Sequence, residues 1–331
     1  MINNILVAGG AGYIGSHVVK KLKLSGYTPI IFDNLSTGHK EAIADEVLVV
    51  GDVRNPADLD KAFTDYNITA VMHFCAKSLV GESMEHPELY FENNVIGGFH
   101  LLEAMRKHNV KHIIFSSTAA TFGEPKEMPI TEETRQIPTN PYGESKLMFE
   151  KMLKWYDISH GIKSCCLRYF NAAGADDDAL IGEDHKVETH LIPIIFQVVN
   201  NQREYIGIFG EDYPTKDGTC IRDYIHIYDL AKAHILSLKY IIENNTSEAF
   251  NLGCGKGYSV KEIIEEVEKV VGSDVEKKIT DRRPGDPTEL IASSAKITHM
   301  LGWQPDYDLE NIIKSASNWH LKHPQGYKNE N

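Results

Sequence analysis

The sequence lacks several features that mark particular classes of protein. It has five cysteines in 331 residues, none in a CxxC spacing. It also has no HExxH motif and no Cys/His cluster, so we expect reduced thiols and no bound metal. Acidic residues outnumber basic ones by 47 to 34, and no lysine- or arginine-rich run occurs. Nucleic acid is therefore a poor candidate partner. No apolar run is long enough to span a membrane, so we expect no membrane partner.

The first residues carry no sign of a targeting segment. Residues 1–7 have no basic region and lead directly into a glycine turn, which indicates a first strand and not a signal peptide. We therefore expect a cytoplasmic protein. A hydrophobic content of 42% is enough to bury the core of one large α/β domain, or of two domains that share a cleft.

Short apolar runs alternate with amphipathic segments of helical length through the first half of the chain. The predicted strands are 5–7, 29–32, 47–50, 70–74 and 112–116, and helical patterns between them include 17–24, 56–66 and 88–108. Apolar strands separated by helices predict a Rossmann-type α/β fold with a doubly wound parallel sheet. A ligand of such a sheet lies at the carboxyl ends of its strands.

This regularity ends near residue 172, where polar, turn-rich segments begin. We predict a dinucleotide-binding domain over 1–172, with elements near 213–245 returning to it. The segments 173–212 and 246–331 are predicted to form a smaller C-terminal α/β lobe that binds the substrate.

The most informative motif is the glycine pattern that follows the first predicted strand. Gly9, Gly12 and Gly15 have the spacing GxxGxxG and stand immediately before a helix. Glycines in this setting allow a tight turn and let backbone amides approach a pyrophosphate at the helix N-terminus. Asp33 ends the second strand, where a carboxylate can bind a ribose 2′-hydroxyl and would repel a 2′-phosphate. The motif therefore predicts NAD; the alternative is a glycine turn followed by a surface aspartate.

Asp52, after the third strand, suits the adenine amino group, although it could equally cap a helix.

A second motif, Pro141 to Lys146, opens a later helix with Thr139 or Asn140 as its cap. Tyr142 and Lys146 lie four residues apart and therefore share a helical face. A nearby ammonium group and a nicotinamide cation would favour the phenolate, which makes Tyr142 a candidate general acid/base. The fifth strand ends in Ser116-Ser117-Thr118, whose hydroxyls could orient a substrate oxygen or simply satisfy backbone groups.

These motifs occur together in an order that resembles a known family. The glycine turn, Asp33-Asn34, Val80-Gly81-Glu82-Ser83, the Ser-Ser-Thr strand end, Tyr142–Lys146, Arg168-Tyr169-Phe170-Asn171 and Ile221-Arg222-Asp223-Tyr224-Ile225-His226 follow one another along the chain. They resemble the extended short-chain dehydrogenase/reductases, and most closely those that epimerise a nucleotide sugar at C4. The resemblance extends to about Trp303.

The resemblance implies a role for individual residues. The catalytic set would be Tyr142, Thr118 and Lys146. The cofactor-binding set would be Gly9, Gly12, Tyr13, Ile14, Gly15, Asp33, Asn34, Asp52, Val53, Phe74, Asn94, Tyr142, Lys146 and Tyr169. The substrate-binding set would be Thr118, Tyr142, Asn171, His190, Arg222, Arg283 and Asp286. The implied reaction is NAD-dependent epimerisation of a UDP-hexose such as UDP-glucose, through a 4-keto intermediate.

Individual residues at family positions exclude some related activities and leave others open. Ala119-Ala120 follow Thr118, so the acids that 4,6-dehydratases and sugar-nucleotide decarboxylases carry there are missing. Thr118 stands where serine is more usual, and His190 where asparagine is common. An epimerase of UDP-N-acetylglucosamine or UDP-glucuronate is the nearest rival. An inactive dinucleotide-sensing protein and an ordinary dehydrogenase are more remote.

Two predicted helices have more apolar positions than one buried stripe needs. Phe99, Leu102 and Met105 lie on the first, and Leu147, Met148, Phe149, Met152 and Leu153 lie on the second. These helices could pair with their copies in a homodimer, as in the family; the alternative is core packing against the sheet.

Overall fold

The structure is a computed structural model that describes residues 3–283 and 286–327. Its strands are β1 (Asn4–Ala8), β2 (Thr28–Asp33), β3 (Val47–Val50), β4 (Ala70–His73), β5 (His112–Thr118), β6 (Lys163–Tyr169), β7 (Asn171–Ala173), β8 (Ile206–Phe209), β9 (Ile221–His226), β10 (Glu248–Leu252), β11 (Gly257–Ser259), β12 (Lys277–Thr280) and β13 (Glu289–Leu290).

Helices connect most of these strands. They are α1 (Tyr13–Leu24), α2 (Pro56–Tyr66), α3 (Val80–Glu85), α4 (Pro87–Tyr90), α5 (Gly97–Lys107), α6 (Pro141–His160), α7 (Leu191–Val199), α8 (Ile227–Asn244), α9 (Val260–Val271), α10 (Ala295–Leu301) and α11 (Leu309–Lys322). Short 3-10 turns cover Lys40–Ile43 and Ala119–Phe122, and a π-helical turn covers Phe91–Ile96. Within the described ranges, no helix combines the length and the apolar character that crossing a bilayer requires.

A seven-stranded parallel sheet confirms the predicted Rossmann-type fold. Its strand order is β10-β6-β5-β4-β1-β2-β3. Alternate residues of each strand pack into two apolar clusters, one on each face: on β1, Ile5 and Val7 join the first cluster, and Leu6 and Ala8 join the second. Burial on both faces is the reason these strands have continuous apolar sequences. Because the strands are parallel, the carboxyl ends of β1, β2, β4 and β5 lie at one edge of the sheet. Predicted site residues occur at these strand ends or just after them.

The helical pattern predicted over 88–108 is divided in the structure. Its first part is α4 and the π-helical turn, and α5 begins only at Gly97. A Cβ at Gly98 would lie 2.5 Å from the ring of Phe149 on α6, and one at Gly97 would lie 2.8 Å from Val53. The two glycines thus allow α5 to approach its neighbours closely, and the π-helical turn takes up the change in register.

Residues of the second half of the chain, with Tyr224 of β9 among them, form a third apolar cluster, and we call the part built around it the smaller lobe. Strand β9 pairs with β7, β11 and β13, and β8 pairs with β12. Helix α8 returns to the first half and packs against α1. Strand β10 also joins the large sheet, parallel to β6, although it follows residue 246, where the sequence pattern placed the lobe. Its apolar residues Phe250 and Leu252 belong to the cluster under α8, which explains that pairing.

A buried ion pair fixes α6 to the sheet. Arg168 on β6 donates from Nε to Glu150 Oε1 (3.0 Å) and from a terminal nitrogen to Oε2 (2.7 Å). Ser117 Oγ donates to the same carboxylate at 2.5 Å. Glu150 follows Lys146 by one helical turn, so this pair holds the helix that carries the second motif.

We expect Arg168→Met to destabilise the chain by about 3–5 kcal/mol, because it leaves Glu150 buried without its cation. The matched control is Arg106→Met, which removes an equally bidentate pair with Glu103 from the surface. The side chains of the first pair are 9% and 7% exposed, and those of the second are 47% and 34% exposed. The control should cost about 1 kcal/mol or less. Urea unfolding of both variants checks this, and equal losses would contradict it.

Candidate active site

The glycine turn connects β1 to α1 at the carboxyl edge of the sheet. Gly9 has φ +81°, and a Cβ there would lie 2.6 Å from the backbone nitrogen of Cys75. A Cβ at Gly15 would lie 2.1 Å from the carbonyl oxygen of Gly9. Both glycines are therefore required by the protein's own packing.

Gly12 differs from these two glycines. A Cβ at Gly12 would meet only Gly9 O, at 3.5 Å, so the space beside it is open. Gly12 is also the N-cap of α1, without a side-chain cap and with no acidic residue in the first helical turn. Unpaired amides at the start of a helix favour an anion, and the open space in front of them fits a dinucleotide pyrophosphate. Tyr13 and Ile14 provide the first amides of this helix.

Asp33 ends β2 beside the glycine turn. Its Oδ2 accepts from Ala11 N at 3.0 Å, and its Oδ1 accepts from Leu35 N at 2.8 Å. Burial raises the pKa of Asp33, while these two amides oppose the rise. Each carboxylate oxygen can accept a second hydrogen bond. Asp33 therefore braces the glycine turn and retains acceptor capacity for a ribose hydroxyl.

Asp52 lies at the same edge, after β3, in a polar cluster. Arg54 donates to both of its oxygens, at 2.9 and 2.7 Å, and Asn34 Nδ2 donates to Oδ2 at 3.0 Å. The hydrogen bonds from Arg54 hold the pKa of Asp52 well below its usual range. Val53 is buried beneath this cluster in the core. The predicted adenine acceptor is thus fixed in place as a charged group.

Tyr142 lies in the first turn of α6, which Asn140 caps by accepting from Gly143 N at 2.8 Å. The Asn140 cap was one of the two predicted from the sequence. The Tyr142 phenol is buried, which raises its pKa, and the nearby Thr118 hydroxyl opposes the rise. Thr118 is the last residue of β5. The structure therefore brings together the predicted acid/base and its hydroxyl partner.

Lys146 is also buried, one helical turn after Tyr142. Its Nζ donates to the carbonyl oxygen of Ser116 at 2.7 Å and lies 6.0 Å from the centre of the Tyr142 ring. Burial lowers the pKa of Lys146 to about 7. The effect of Lys146 on the pKa of Tyr142 stays a prediction.

Three further predicted cofactor residues surround these groups. Phe74 follows β4, and its amide donates to Ala8 O at 2.7 Å beside the glycine turn. Asn94 is buried and donates to Lys77 O and Ser145 Oγ, both at 3.0 Å, so it ties the loop after β4 to α6. Tyr169, paired in register with Thr118, hydrogen-bonds through its hydroxyl to Ser116 Oγ. These contacts make Asn94 and Tyr169 supports of the site wall.

The predicted diphosphate and uridine residues lie in the smaller lobe. Arg222 on β9 forms an ion pair with Asp286 and donates to Ile221 O at 2.7 Å. The guanidinium of Arg283 lies 3.8 Å from the centre of the Phe209 ring. Asn171 begins β7, directly after the end of β6, and pairs with Tyr224 of β9. The structure thus joins Arg222 to Asp286 and places Asn171 between the two halves.

His190 is the N-cap residue of α7, and its ring faces two carboxylates. Its Nδ1 lies 2.8 Å from Glu183 Oε1 and 3.1 Å from Glu188 Oε1. Burial would lower the pKa of His190, but the two carboxylates outweigh it and raise the pKa well above its usual value. Its predicted contact with the substrate stays a prediction.

The sequence motifs do not predict two of the contacts at this site. Ser116 holds Lys146 through its carbonyl oxygen and Tyr169 through its hydroxyl. Tyr13 donates from its hydroxyl to Gly174 O at 2.6 Å and so links the glycine turn to the smaller lobe. The serine-rich strand end was a visible signal for Ser116. The second contact joins residues 161 positions apart, and no local pattern indicates it.

Known proteins match this chain over nearly its whole length. A family model described as GDP-mannose 4,6 dehydratase matches residues 6–316. The UDP-glucose 4-epimerase of Halalkalibacterium halodurans is 54% identical, over 99% of this chain and 98% of that protein.

Solved structures agree with these sequence matches. A crystal structure of a UDP-glucose 4-epimerase has a TM-score of 0.96 at 52% identity, covering 99% of this chain and 100% of the other. The Bifidobacterium longum UDP-glucose 4-epimerase in complex with NAD⁺ and UDP has a TM-score of 0.93 at 38% identity, covering 98% and 100%. The motifs, the fold and these matches agree, and the chain belongs to the UDP-glucose 4-epimerase family of the extended short-chain dehydrogenase/reductases.

Proposed function

We propose that the chain interconverts UDP-glucose and UDP-galactose by NAD-dependent epimerisation at C4. The observation that carries the proposal is the meeting of two parts at one sheet edge. The glycine turn after β1 offers an anion site, and Thr118 ends β5, two strands away, near Tyr142 at the start of α6. The relatives are named for this activity, and one is described as a complex with NAD⁺ and UDP.

In this proposal, the first amides of α1 bind the pyrophosphate of NAD, and Asp33 binds the adenosine ribose. Asn34, Asp52 and Val53 form the adenine side, and Phe74, Asn94 and Tyr169 form the wall of the nicotinamide side. When bound, NAD accepts hydride from sugar C4 and returns it to the opposite face of the resulting 4-keto sugar, and its cationic ring lowers the pKa of a nearby phenol.

Tyr142 takes the C4 hydroxyl proton as hydride leaves and gives it back in the second half of the reaction. Thr118 orients the same oxygen. Lys146, whose Nζ donates to Ser116 O, would bind the nicotinamide ribose.

The UDP part of the substrate is proposed to bind in the smaller lobe. Arg222 and Arg283 offer planar, multi-donor cations to the diphosphate, which a protein with a formal net charge of −13 must supply locally. Asp286 accepts from the uridine ribose, and Asn171 contacts the sugar nucleotide. Anchoring by UDP would keep the 4-keto sugar in the site while the sugar rotates to present its opposite face.

The decisive experiment follows the hydrogen at C4. Purified protein without added NAD is given UDP-galactose deuterated at C4, and the product is examined by NMR. We expect UDP-glucose that retains deuterium at C4, because the hydride returns from the same cofactor molecule. Loss of the label to water would contradict hydride transfer. Product that requires added NAD would indicate a dehydrogenase, and no product beside bound NAD would indicate a sensing protein.

The same assay with UDP-N-acetylgalactosamine and UDP-galacturonate tests the alternative sugars. The favoured proposal predicts the highest kcat/KM for UDP-galactose.

We further propose a cytoplasmic homodimer. Leu102, Met105, Leu147, Phe149 and Leu153 are buried in the core, as the core-packing alternative required. Phe99 on α5 and Met148 on α6 remain 43% and 39% exposed, and Trp155 on α6 is 63% exposed. Two adjacent helices with exposed apolar side chains fit a two-fold four-helix interface. Size-exclusion chromatography with light scattering at micromolar concentration checks this, and a purely monomeric mass would contradict it.

A further inference from the structure

Four side chains that can bind metal converge in the loop before α7. Glu183, His185, Glu188 and His190 each place one donor atom within 4.8 Å of the others. All four come from residues 183–190, and we refer to them as the loop cluster. The spacing resembles neither HExxH nor paired cysteines, so the sequence pattern predicted no metal there.

The distances within the loop cluster suit a tetrahedral site. His185 Nδ1 lies 3.1 Å from Glu188 Oε2 and 3.6 Å from Glu183 Oε1. His190 Nδ1 lies 3.1 Å from Glu188 Oε1 and 2.8 Å from Glu183 Oε1. A tetrahedral zinc ion with bonds of about 2.0–2.2 Å separates its ligand atoms by about 3.3–3.6 Å. Small outward shifts of the closer contacts would therefore seat an ion.

The charge of the loop cluster calls for a cation. The carboxylates of Glu183 and Glu188 are only 6% and 5% exposed, and both face the same two imidazoles. Two buried negative charges must be compensated by protons on the imidazoles or by a cation between them. A divalent ion with two neutral imidazoles balances both carboxylates at once.

Hydrogen bonds hold the segment that carries the candidate ligands, and a solvent-open cavity gives an ion access to them. The amides of Thr189 and His190 donate to Glu188 Oε1 at 2.7 and 2.8 Å, which orients that carboxylate. Trp319 Nε1 donates to Glu183 O at 3.2 Å from α11. Glu183, His185 and Glu188 also line a cavity of about 1050 Å³ that is open to solvent. Supporting hydrogen bonds and an entry path are both features of protein metal sites.

We propose that the loop cluster binds one Zn²⁺ ion with a structural role. Two imidazoles and two carboxylates favour a transition metal over Mg²⁺ or Ca²⁺, which prefer oxygen ligands alone. Four protein ligands complete a tetrahedron and leave no position for substrate, so the ion holds the loop and takes no part in catalysis.

The loop also contacts the segment that follows Asp33. Lys186 Nζ donates to Ser36 O at 3.2 Å, and His39 Nε2 lies 3.1 Å from Asp184 O. The ion would therefore fasten the smaller lobe to the nucleotide end.

The first test uses the full chain with any affinity tag removed. The protein is treated with a chelator, dialysed, divided, and given zinc, magnesium or buffer. We expect one zinc per chain by plasma mass spectrometry after removal of unbound metal. We also expect a melting temperature at least about 3 °C higher with zinc than with buffer or magnesium. Less than one zinc in ten chains, with an unchanged melting temperature, would overturn the proposal.

The second test uses His185→Gln and Glu188→Gln, each of which removes a ligand at nearly constant size. The matched control is His86→Gln, which alters an exposed histidine 3.4 Å from Glu88. We expect zinc binding and the zinc-dependent melting shift to disappear in the first two variants and to persist in the control. Persistence in all three would overturn the proposal. If the ligand variants fail to fold, the zinc titration of the unaltered chain decides alone, and none of these readouts depends on epimerase activity.

Discussion

Tyr142→Phe is expected to lower kcat by about 10²–10⁴-fold while the protein still carries NAD. The substitution removes only the hydroxyl that exchanges a proton with the sugar. Burial raises the pKa of this phenol, so its reactivity depends on the groups around it. Single-turnover kinetics with UDP-galactose, together with the NAD content of the purified variant, measure both effects.

The matched control for this prediction lies on the same helix. Tyr156 donates from its hydroxyl to Glu103 Oε1 at 2.7 Å, about four helical turns beyond Tyr142. Tyr156→Phe removes the same atom and should leave kcat within a factor of about three. A Tyr142→Phe variant that loses less than tenfold would reject Tyr142 as the acid/base. Equal losses in both variants would point to damage of the helix instead.

Gly15→Ala should reduce both the stability of the fold and the binding of NAD. The added Cβ would lie 2.1 Å from Gly9 O and 2.8 Å from Gly10 Cα, and both are backbone atoms that cannot rotate away. The glycine turn must therefore move, at a cost of about 3 kcal/mol, near the upper end of overpacking effects. We also expect no NAD in the purified variant. Urea unfolding and absorbance of acid-released cofactor measure the two losses.

Gly12→Ala should separate the loss of NAD binding from the loss of stability. Its Cβ meets only Gly9 O, at 3.5 Å, and the backbone of Gly12 is extended with a negative φ. The unfolding free energy should change by about 1 kcal/mol or less, since an alanine N-cap is only mildly unfavourable. The NAD content should nevertheless fall, because the methyl group takes the space of the pyrophosphate.

Gly207→Ala is the control for both glycine variants. Its nearest neighbours, the ring atoms of Phe209, lie at 3.6 and 3.7 Å, so the substitution should leave stability and NAD content unchanged. Full NAD content in Gly12→Ala would contradict a pyrophosphate at this turn.

Much of the nucleotide half could be predicted because its signals are local. The Gly9–Gly15 spacing, the Asp33 strand end and the Asn140 cap each depend on a few neighbouring residues whose backbone geometry is determined by residue type. Helix α9 has limits of the same local kind, because a capping box at Ser259 starts it and Gly272 ends it.

The remaining features depend on contacts between distant segments. Strand β10 joins the large sheet because Phe250 and Leu252 complete a cluster formed mainly by other elements. The interruption of the helix near Gly97 is set by Phe149 and Val53, far away in sequence. The pKa of Lys146 follows from burial that no spacing rule contains. The sequence does not predict the loop cluster, because its ligand spacing matches no familiar motif and only the folded loop brings the four side chains together.

The hydrogen bond from Tyr13 to Gly174 has a consequence for ligand exchange. Tyr13 is the first residue of α1, so the turn that would receive the dinucleotide is attached to the smaller lobe through a bond of 2.6 Å. Any outward rotation of that lobe would break this bond. Release of the dinucleotide would then require a larger movement of the lobe than one that leaves this bond intact.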